Sequence, residues 1–361
     1  MKKLYFLLLS VILTFSFSLN VGANPNSAFK RFYGEDRYQT AIAIANDLLD
    51  GEPNGQFDCV FLASGLNWPD AVVGTALARQ LNAPILLVDY TPERSSVTLN
   101  FVKEHLANDK SIYLLGGTGV IPQAFTEYLI SSGYHQENIH QIGGKDRNET
   151  SLLIAQTLIT NTPNQIFLVS DENYADALSI ASYTGEYKKP IMLISSSGPT
   201  AAQKEYIDKA TSVFYIGDLA TWIDTVYSRT QKTQEGPKQY VYGENKYETN
   251  GAVIDQFNRF DRTIFLVSGE DYPDALAGSV LASRFGGMLV FVKPNTLPTD
   301  TVNTLNHMAY MAHNPNRSLN SGPPYFSHNI WVLGGPGAVS DDIVYQAQEI
   351  LNGDGYLTNY K

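Results

Sequence analysis

The feature that most constrains the fold of this chain is a short sequence stretch that occurs three times. Each copy consists of an apolar run, a serine, a polar turn with an aromatic residue, and an Asp-Ala pair. The copies occupy residues 60–74, 166–179 and 264–278. Their aspartates, Asp70, Asp176 and Asp274, lie 106 and 98 residues apart, which is too long for a solenoid repeat and typical of a small domain. The chain of 361 residues is therefore predicted to contain three copies of one domain.

The segments around this stretch predict an α/β domain. In the first copy, an amphipathic helix after the opening motif ends near Gly51. The central stretch then supplies a buried strand and a helix that begins at Pro69 and ends at about Gln80. Further short apolar runs at residues 84–88 and 112–115 alternate with helical segments. Because these strands lack an alternation of apolar and polar residues, we expect a mainly parallel sheet with helices on both faces.

The first 23 residues have the features of a secretory signal peptide. A basic start is followed by an apolar run at residues 4–19, and cleavage is predicted after Ala23. The alternative is an uncleaved membrane anchor, for which the apolar run is shorter than the roughly 20 residues that a spanning helix needs. No later segment is long and apolar enough to span a membrane. The predicted divisions are the signal peptide at 1–23 and the repeats at 24–136, 137–236 and 237–361.

Charge and cysteine content restrict the possible partners. Removal of Lys2 and Lys3 with the signal peptide would change the net charge from −11 to −13. A bulk charge of this sign disfavours binding to nucleic acid or to an anionic membrane, so an anionic partner needs a local basic pocket. The single cysteine, Cys59, cannot form an internal disulfide. We interpret it as a small buried hydrophobe rather than as a reactive thiol.

No pattern in the sequence indicates catalysis, a metal site or a cofactor. The six histidines do not cluster, and neither an H-E-x-x-H nor a G-x-S-x-G motif occurs. The glycine-rich turn at residues 116–119 has the wrong spacing for a dinucleotide-binding loop. We interpret it as a tight strand-to-helix turn that needs positive φ. A repeated non-catalytic domain instead favours binding, since several copies raise the avidity for a polymer.

The repeated aspartates are interpreted as carboxylates at helix starts that pair with a cation of the opening motif. The predicted pairs, each within one repeat, are Arg37 with Asp70, Arg147 with Asp176, and Lys246 with Asp274. A second hypothesis places the same three cations in grooves that hold an anionic polymer. There a guanidinium can hold a phosphate through two hydrogen bonds, whereas lysine acts only as a point charge.

Four motifs recur in the same order in the three copies. They are the opening G-x-D-R-Y-x-T-A, the strand with its P-D-A-L turn, the P-I-L-L run and the late G-G-x-G-x-V. In this combination the chain resembles the cell wall binding repeat 2 family over residues 31–350. The resemblance implies three tandem α/β, Toprim-like domains that assemble into a pseudo-threefold trimer within one chain. It also implies non-covalent attachment to an anionic polymer of the Gram-positive cell wall.

The resemblance also assigns an anchoring role to the I-L-L runs. These runs comprise Ile85, Leu86, Leu87, Ile191, Met192 and Leu193, with an altered run at Met288, Leu289 and Val290. We interpret all of them primarily as buried strands. The departures from the family pattern are Asn148, Ser151, Lys246, Asn250 and a glycine turn reduced to Gly217-Asp218 in the second repeat. These departures leave open whether the three repeats are used equally.

These features predict a secreted, non-catalytic protein of the cell wall that needs no cofactor. Its expected partner is a teichoic-acid-like polymer or a secondary polysaccharide. The alternatives are an amidase-like wall hydrolase and a structural component of a surface layer. Family members often carry a separate functional domain, for which we expect no room in this chain. A polar insertion at residues 311–328 is predicted to be an exposed loop and the one region available for specialisation.

Overall fold

The computed structural model describes residues 29–50, 52–158, 164–226, 239–257, 263–313 and 329–352. The predicted signal peptide and most of the predicted loop at 311–328 lie outside these ranges. In the described ranges the strands are β1 (Lys30–Phe32), β2 (Phe57–Ser64), β3 (Ile85–Val88), β4 (Leu106–Leu115), β5 (Ile139–Ile142), β6 (Gln165–Ser170), β7 (Ile191–Ile194), β8 (Ser212–Ile216), β9 (Gln239–Val241), β10 (Ile264–Ser268), β11 (Met288–Val292) and β12 (Ile330–Leu333).

The α-helices of the same ranges follow most of these strands. They are α1 (Arg37–Leu49), α2 (Pro69–Gln80), α3 (Ser96–His105), α4 (Gln123–Ser131), α5 (Arg147–Thr157), α6 (Tyr174–Tyr187), α7 (Ala201–Ile207), α8 (Asp218–Val226), α9 (Lys246–Phe257), α10 (Pro273–Arg284), α11 (Thr299–His313) and α12 (Asp341–Asn352). The strand-helix alternation that the sequence predicts is confirmed.

The described strands form three sheets that cross the boundaries between the sequence repeats. Their orders are β3-β2-β4-β5, β7-β6-β8-β9 and β1-β12-β10-β11, and every paired strand is parallel to its neighbour. Each sheet takes three strands from one repeat and a fourth from the opening of the next. The last sheet takes β1 from the start of the chain, which pairs with β12 near its end. Strand pairing therefore repeats in cyclic order.

Local sequence explains where the helices begin. Asp36 caps α1 by accepting a 2.8 Å hydrogen bond from the Gln39 N–H, and Asp146 caps α5 in the same way. Pro69 and Pro273 occupy the first turns of α2 and α10, where the missing N–H costs nothing. The bounds of α2 are those expected from the sequence. The opening motif of each repeat is thus a strand, a tight loop and a helix start.

The helices α2, α6 and α10, one from each repeat, pack against one another. Small residues allow this close approach. A Cβ at Gly185 of α6 would lie 2.7 Å from Ser283 Cβ of α10 and 3.0 Å from Thr75 Cγ2 of α2, so only glycine fits without movement of a neighbour. The Thr75 and Ser279 hydroxyls form a 2.8 Å hydrogen bond between α2 and α10. The three repeats therefore share one tightly packed centre.

The aromatic residue of the central stretch also joins one repeat to the next. The Tyr174 hydroxyl donates to the Gly269 carbonyl over 3.0 Å, from the second repeat to the third. The Tyr272 hydroxyl donates to the Leu66 carbonyl over 2.8 Å, from the third repeat to the first. The two tyrosine rings meet edge to face, with their centroids 5.6 Å apart. These bonds follow the same cyclic order as the exchanged strands.

The interior confirms the predicted fold class of parallel sheets flanked by helices. One apolar core contains buried residues of all three repeats, and a second, smaller cluster lies within the second repeat. Cys59 belongs to the first core and is 6% exposed, as expected of a small buried hydrophobe. In the described part of the chain, no helix combines the length and apolarity that a membrane crossing requires.

Candidate functional site

The carboxyl ends of each sheet meet the opening loop of the next repeat at three equivalent junctions, which are called clefts below, and a cavity is seen at one of them. The cleft between the third repeat and the first has a volume of about 390 Å³. It is lined by Gly34, Glu35, Asp36, Arg37, Thr40, Ser268, Glu270, Asp271, Pro273, Asp274, Pro294, Gly335, Gly337 and Ala338. Ligands of open parallel sheets bind in crevices at this edge, outside the carboxyl ends of the strands. These clefts are therefore the candidate sites of this protein.

The opening loop has the same geometry in the three repeats. A glycine N–H donates to the hydroxyl of a threonine six residues later, at distances of 3.0–3.2 Å. The pairs are Gly34 with Thr40, Gly144 with Thr150, and Gly243 with Thr249. The loop holds its cation at the first position of the following helix. Arg37, Arg147 and Lys246 are therefore structurally equivalent residues.

The repeated aspartates lie where one repeat meets the next, Asp70 and Asp176 buried and Asp274 half-buried. A Cβ at Gly116 would lie 2.6 Å from Asp70 Oδ2, and the equivalent glycines Gly217 and Gly334 face Asp176 and Asp274. These three glycines have φ of +112°, +63° and +103°, which confirms the predicted positive-φ turn in the first repeat. The carboxylate therefore occupies the space that a side chain at the glycine would need.

Burial raises the pKa of all three carboxyls. The pKa of Asp70 rises to about 6, although the Arg147 charge and the Thr150 hydroxyl oppose the shift. Burial raises the pKa of Asp176 to about 7, opposed by a 2.8 Å bond from the Asp218 backbone N–H. Burial likewise raises the pKa of Asp274 to about 6, opposed mainly by the Thr40 hydroxyl. These carboxyls are neutral more often than ordinary aspartates.

The predicted pairing of each aspartate with the cation of its own repeat is wrong. Asp70 lies near Arg147 of the second repeat, and Asp274 lies near Arg37 of the first. Lys246 pairs with Glu270 over 3.2 Å rather than with Asp274. The reason is the strand exchange: the opening loop that reaches each aspartate follows a strand donated by the next repeat.

The three equivalent cations differ in their surroundings. Arg37 donates to the Gly65 carbonyl over 2.6 Å and lies 3.8 Å from the Asp271 carboxylate, with its side chain 33% exposed. Arg147 is exposed and donates to the Asp171 carbonyl over 2.6 Å. Lys246, at 28% exposure, is held by its ion pair to Glu270. The structure thus brings all three to the clefts but leaves Arg147 the most accessible.

The I-L-L runs form the edge strands β3 and β7 and lie fully inside the protein. Ile85, Leu86, Leu87, Ile191, Met192 and Leu193 are each at most 2% exposed. The predicted burial is therefore confirmed. The strand register corrects the third run: Val267, which is equivalent to Ala63 and Val169, pairs with Phe291. The equivalent residues are thus Leu289, Val290 and Phe291, one position later than predicted.

Residues that depart from the family pattern satisfy the open edges of these strands. The Asn250 side chain donates to the Leu289 carbonyl over 2.9 Å and accepts from the Phe291 N–H over 3.0 Å. In the second repeat, Ser151 accepts from the Leu193 N–H and Asn148 donates to the Leu193 carbonyl, both over 3.1 Å. Side chains thus replace the missing neighbouring strand, whose absence would leave buried backbone groups unpaired.

Replacing Asn250 with alanine should lower the free energy of unfolding by about 1–3 kcal/mol, because two buried backbone groups lose their partner. Chemical denaturation checks this value. The matched control is Asn100→Ala, since Asn100 is exposed on α3 and should change stability by less than about 0.5 kcal/mol. Equal effects of the two substitutions would show that the Asn250 amide does not stabilise the edge strand.

Sequence reasoning missed two kinds of residue at the clefts. The threonines Thr40 and Thr150 contact aspartates of the neighbouring repeat, and their recurrence in the opening motif was the available signal. Lys145 is exposed beside Arg147, but the equivalent residues are Glu35 and Glu244, so repetition could not reveal it. Within the described residues, no group of three His, Cys, Asp or Glu side chains is arranged to hold a metal ion.

Comparisons with known proteins bear on the family and on the fold. The model of the family described as Cell wall binding domain 2 (CWB2) matches residues 31–126, 141–227 and 241–344. N-acetylmuramoyl-L-alanine amidase LytC of Bacillus subtilis is 24% identical over 279 residues, which are 77% of this chain and 53% of that protein. The Amidase enhancer of the same species is 28% identical over 268 residues, 74% of this chain and 35% of that protein. The chain thus spans about half or less of these curated relatives.

Two solved structures from Clostridium difficile share the fold. Cwp8 matches with a TM-score of 0.72 at 19% identity and covers 90% of this chain and 52% of its own. Cwp6 matches with a TM-score of 0.71 at 20% identity and covers 90% of this chain and 48% of its own. At these identities the likeness concerns the fold alone.

Proposed function

The chain belongs to the Cell wall binding domain 2 family, and from this premise we propose a secreted, non-catalytic protein that attaches to the Gram-positive cell wall. Attachment is non-covalent and directed to an anionic wall polymer. The predicted signal peptide at residues 1–23 directs secretion, and the mature protein stays at the cell surface. All three repeats belong to one pseudo-trimeric binding unit.

The observation that carries this proposal is the threefold family match, which extends over most of the chain. Each matched segment supplies an opening loop and a helix start to a cleft between two repeats. A polymer with regularly repeated anionic groups can contact more than one cleft, and linked contacts raise its apparent affinity. The architecture therefore suits a repetitive ligand better than a single small molecule.

Within this function we assign polymer contact to the clefts that hold Arg37, Arg147 and Lys246. The I-L-L runs support attachment through the fold, because their side chains are buried and cannot reach a polymer without unfolding of the edge. The repeated aspartates Asp70, Asp176 and Asp274 hold the clefts together rather than bind the polymer.

A pull-down assay tests the proposal against its two alternatives. Purified protein is mixed with isolated walls of Bacillus subtilis and of Clostridium difficile, and both the pelleted protein and the soluble wall fragments are measured. We expect the protein to pellet with walls of at least one species without releasing fragments.

Other outcomes would identify the alternatives. Release of soluble fragments with new amino groups would indicate an amidase-like hydrolase, the activity named for the relative LytC. Sedimentation of the protein without walls, as ordered arrays in electron micrographs, would indicate a surface-layer component. Failure to pellet with either type of wall would contradict attachment to these walls.

A further inference from the structure

We propose that the three clefts are not equivalent and that the one between the first and second repeats binds the polymer most strongly, through Arg147 and Lys145. The ligand is a polymer whose backbone phosphodiesters each carry one negative charge. This inference rests on the proposed function and specifies which cleft performs it. The name cleft 1/2 is used for this site, and clefts 2/3 and 3/1 for its two counterparts.

Charge separates the three clefts. Five carboxylates and a single arginine line cleft 3/1. Three of those carboxylates, Glu35, Glu270 and Asp271, correspond by position to Lys145, Leu66 and Asn67 in cleft 1/2. Cleft 1/2 therefore replaces three negative groups with one positive and two neutral side chains. Cleft 1/2 in turn carries Glu149 and Asp171 where cleft 3/1 has Gln39 and Gly65. It is therefore less negative than cleft 3/1 and repels a polyanion less strongly.

Cleft 2/3 retains much of the same negative charge. Its equivalent positions hold Glu244, Glu172 and Asn173, so two of the three carboxylates remain. Its cation, Lys246, is occupied by the 3.2 Å ion pair with Glu270. The charges of the residues at the three clefts therefore make cleft 1/2 the most favourable site for an anion.

The arginine of cleft 1/2, Arg147, is also the cation that is most available to bind a ligand. In cleft 3/1, Asp271 lies 3.8 Å from Arg37 and competes for its guanidinium. The corresponding residue of cleft 1/2 is Asn67, which is exposed and carries no charge. Among the described residues, no carboxylate forms a salt bridge with Arg147, which is exposed, although its charge acts on the nearby carboxyls of Asp70 and Asp171. Arg147 can therefore present N–H groups to a ligand.

The two sides of cleft 1/2 are in contact, so the loop that carries its cations is held in a fixed position. A Cβ at Gly117 of the first repeat would lie 3.0 Å from the Gly144 carbonyl of the second. The Gln141 side chain donates 3.0 Å hydrogen bonds to the carbonyls of Gly116 and Ile121. The loop with Lys145 and Arg147 is thus attached to the turn that covers Asp70, and the site is preorganised rather than formed by a mobile segment.

The chemistry of the two side chains fits a phosphodiester chain. The planar guanidinium can donate two parallel hydrogen bonds to the two unesterified oxygens of one phosphate. The Lys145 ammonium, two residues away, acts as a point charge for the same group or for the next one along the polymer. Binding of this type weakens as ionic strength rises.

The test uses the mature protein with soluble poly(glycerol phosphate) as the phosphodiester probe and polygalacturonate as the carboxylate probe. Arg147→Gln removes the guanidinium. Asn67→Asp introduces a carboxylate that can compete with the polymer for Arg147, as Asp271 does for Arg37. Asn100→Asp is the matched control, because it makes the same change at an exposed asparagine of α3 that is not among the residues of the clefts. Calorimetric titration gives the affinities, and thermal melting reports folding.

We expect Arg147→Gln to weaken binding of poly(glycerol phosphate) roughly tenfold to a hundredfold, as loss of a charged hydrogen bond does. Asn67→Asp should weaken it about two- to fivefold, and Asn100→Asp should leave it unchanged. If Arg147→Gln melts early, Asn67→Asp, which retains the arginine, decides the question. Each variant is compared with the wild type at the same salt concentration.

The remaining outcomes would overturn the inference in distinct ways. Wild-type affinity in both Arg147→Gln and Asn67→Asp would place the polymer elsewhere. Equal losses in Asn67→Asp and Asn100→Asp would show that the net charge of the protein, not cleft 1/2, controls binding. Binding of polygalacturonate alone would replace the phosphodiester with a carboxylate ligand. Absence of wild-type binding to both probes would instead count against the proposed function itself.

Discussion

Replacing Leu86 with alanine should lower the free energy of unfolding by about 2–5 kcal/mol. Leu86 is 0% exposed on β3, where it pairs in register with Leu62 of β2, and helices cover the sheet. The smaller side chain would leave a cavity in a core that all three repeats share, and the surrounding strands can close it only in part. Denaturant titration monitored by circular dichroism measures the change.

The matched control is Leu66→Ala, the same chemical change at a side chain that is 46% exposed. It should alter stability by less than about 1 kcal/mol. Attachment to walls at a temperature where Leu86→Ala is still folded should equal that of the wild type. Lost attachment with an unchanged melting temperature would contradict this account, since it would mean that the I-L-L run contacts the polymer directly.

The protein should be more stable at pH 5 than at pH 8. The carboxyls Asp70, Asp176 and Asp274 have pKa values of about 6, 7 and 6 in the folded protein, against an ordinary value of 3.8. Between these limits the folded chain keeps protons that the unfolded chain releases, so stability falls as the pH rises from about 4 to about 7. Between pH 5 and pH 8 the loss is on the order of 1 kcal/mol for each of Asp70 and Asp274 and on the order of 3 kcal/mol for Asp176. Melting temperatures across this range give the profile.

Asp176→Asn separates this effect from the general acidity of the chain. The asparagine oxygen can still accept the hydrogen bond from the Asp218 N–H, but the side chain cannot ionise. We expect the variant to lose part of the pH dependence and to be at least as stable as the wild type at pH 8. A variant with the full wild-type slope would show that Asp176 does not titrate in this range.

Much of the fold could be predicted because each repeat carries its own local signals. The helix from Pro69 to Gln80 has a proline and an acid in its first turn, and its predicted bounds are those observed. The apolar runs of β3 and β7 are predicted to be buried strands, and the structure confirms this. Capping residues and apolar runs act over a few residues, so one sequence is sufficient to read them.

The arrangement of the repeats could not be read in the same way. A parallel strand such as β5 or β9 has the same local sequence whether it joins its own sheet or the preceding one. The pairing of β1 with β12 joins residues 301 positions apart, for which a single chain gives no signal. The error in the Arg37–Asp70 pairing follows directly from this strand exchange.

Two smaller errors have local causes. The third edge strand is apolar from Met288 through Val292 and lacks the proline that marks the other two runs, so the sequence alone does not fix its alignment with them to the residue. Lys145 does not recur among the repeats, so repetition alone cannot mark it as a site residue. The clefts differ in charge, and this difference comes from residues that vary between the repeats.

The most direct test of the central claim is binding to walls before and after extraction with hydrofluoric acid, which cleaves the phosphodiesters of anionic wall polymers. The same preparations of Bacillus subtilis and Clostridium difficile walls serve for both arms, with protein in the pellet as the measured quantity. We predict that walls that bind the protein lose most of this binding after extraction. Equal binding to intact walls and to the bare peptidoglycan would contradict attachment through an anionic polymer.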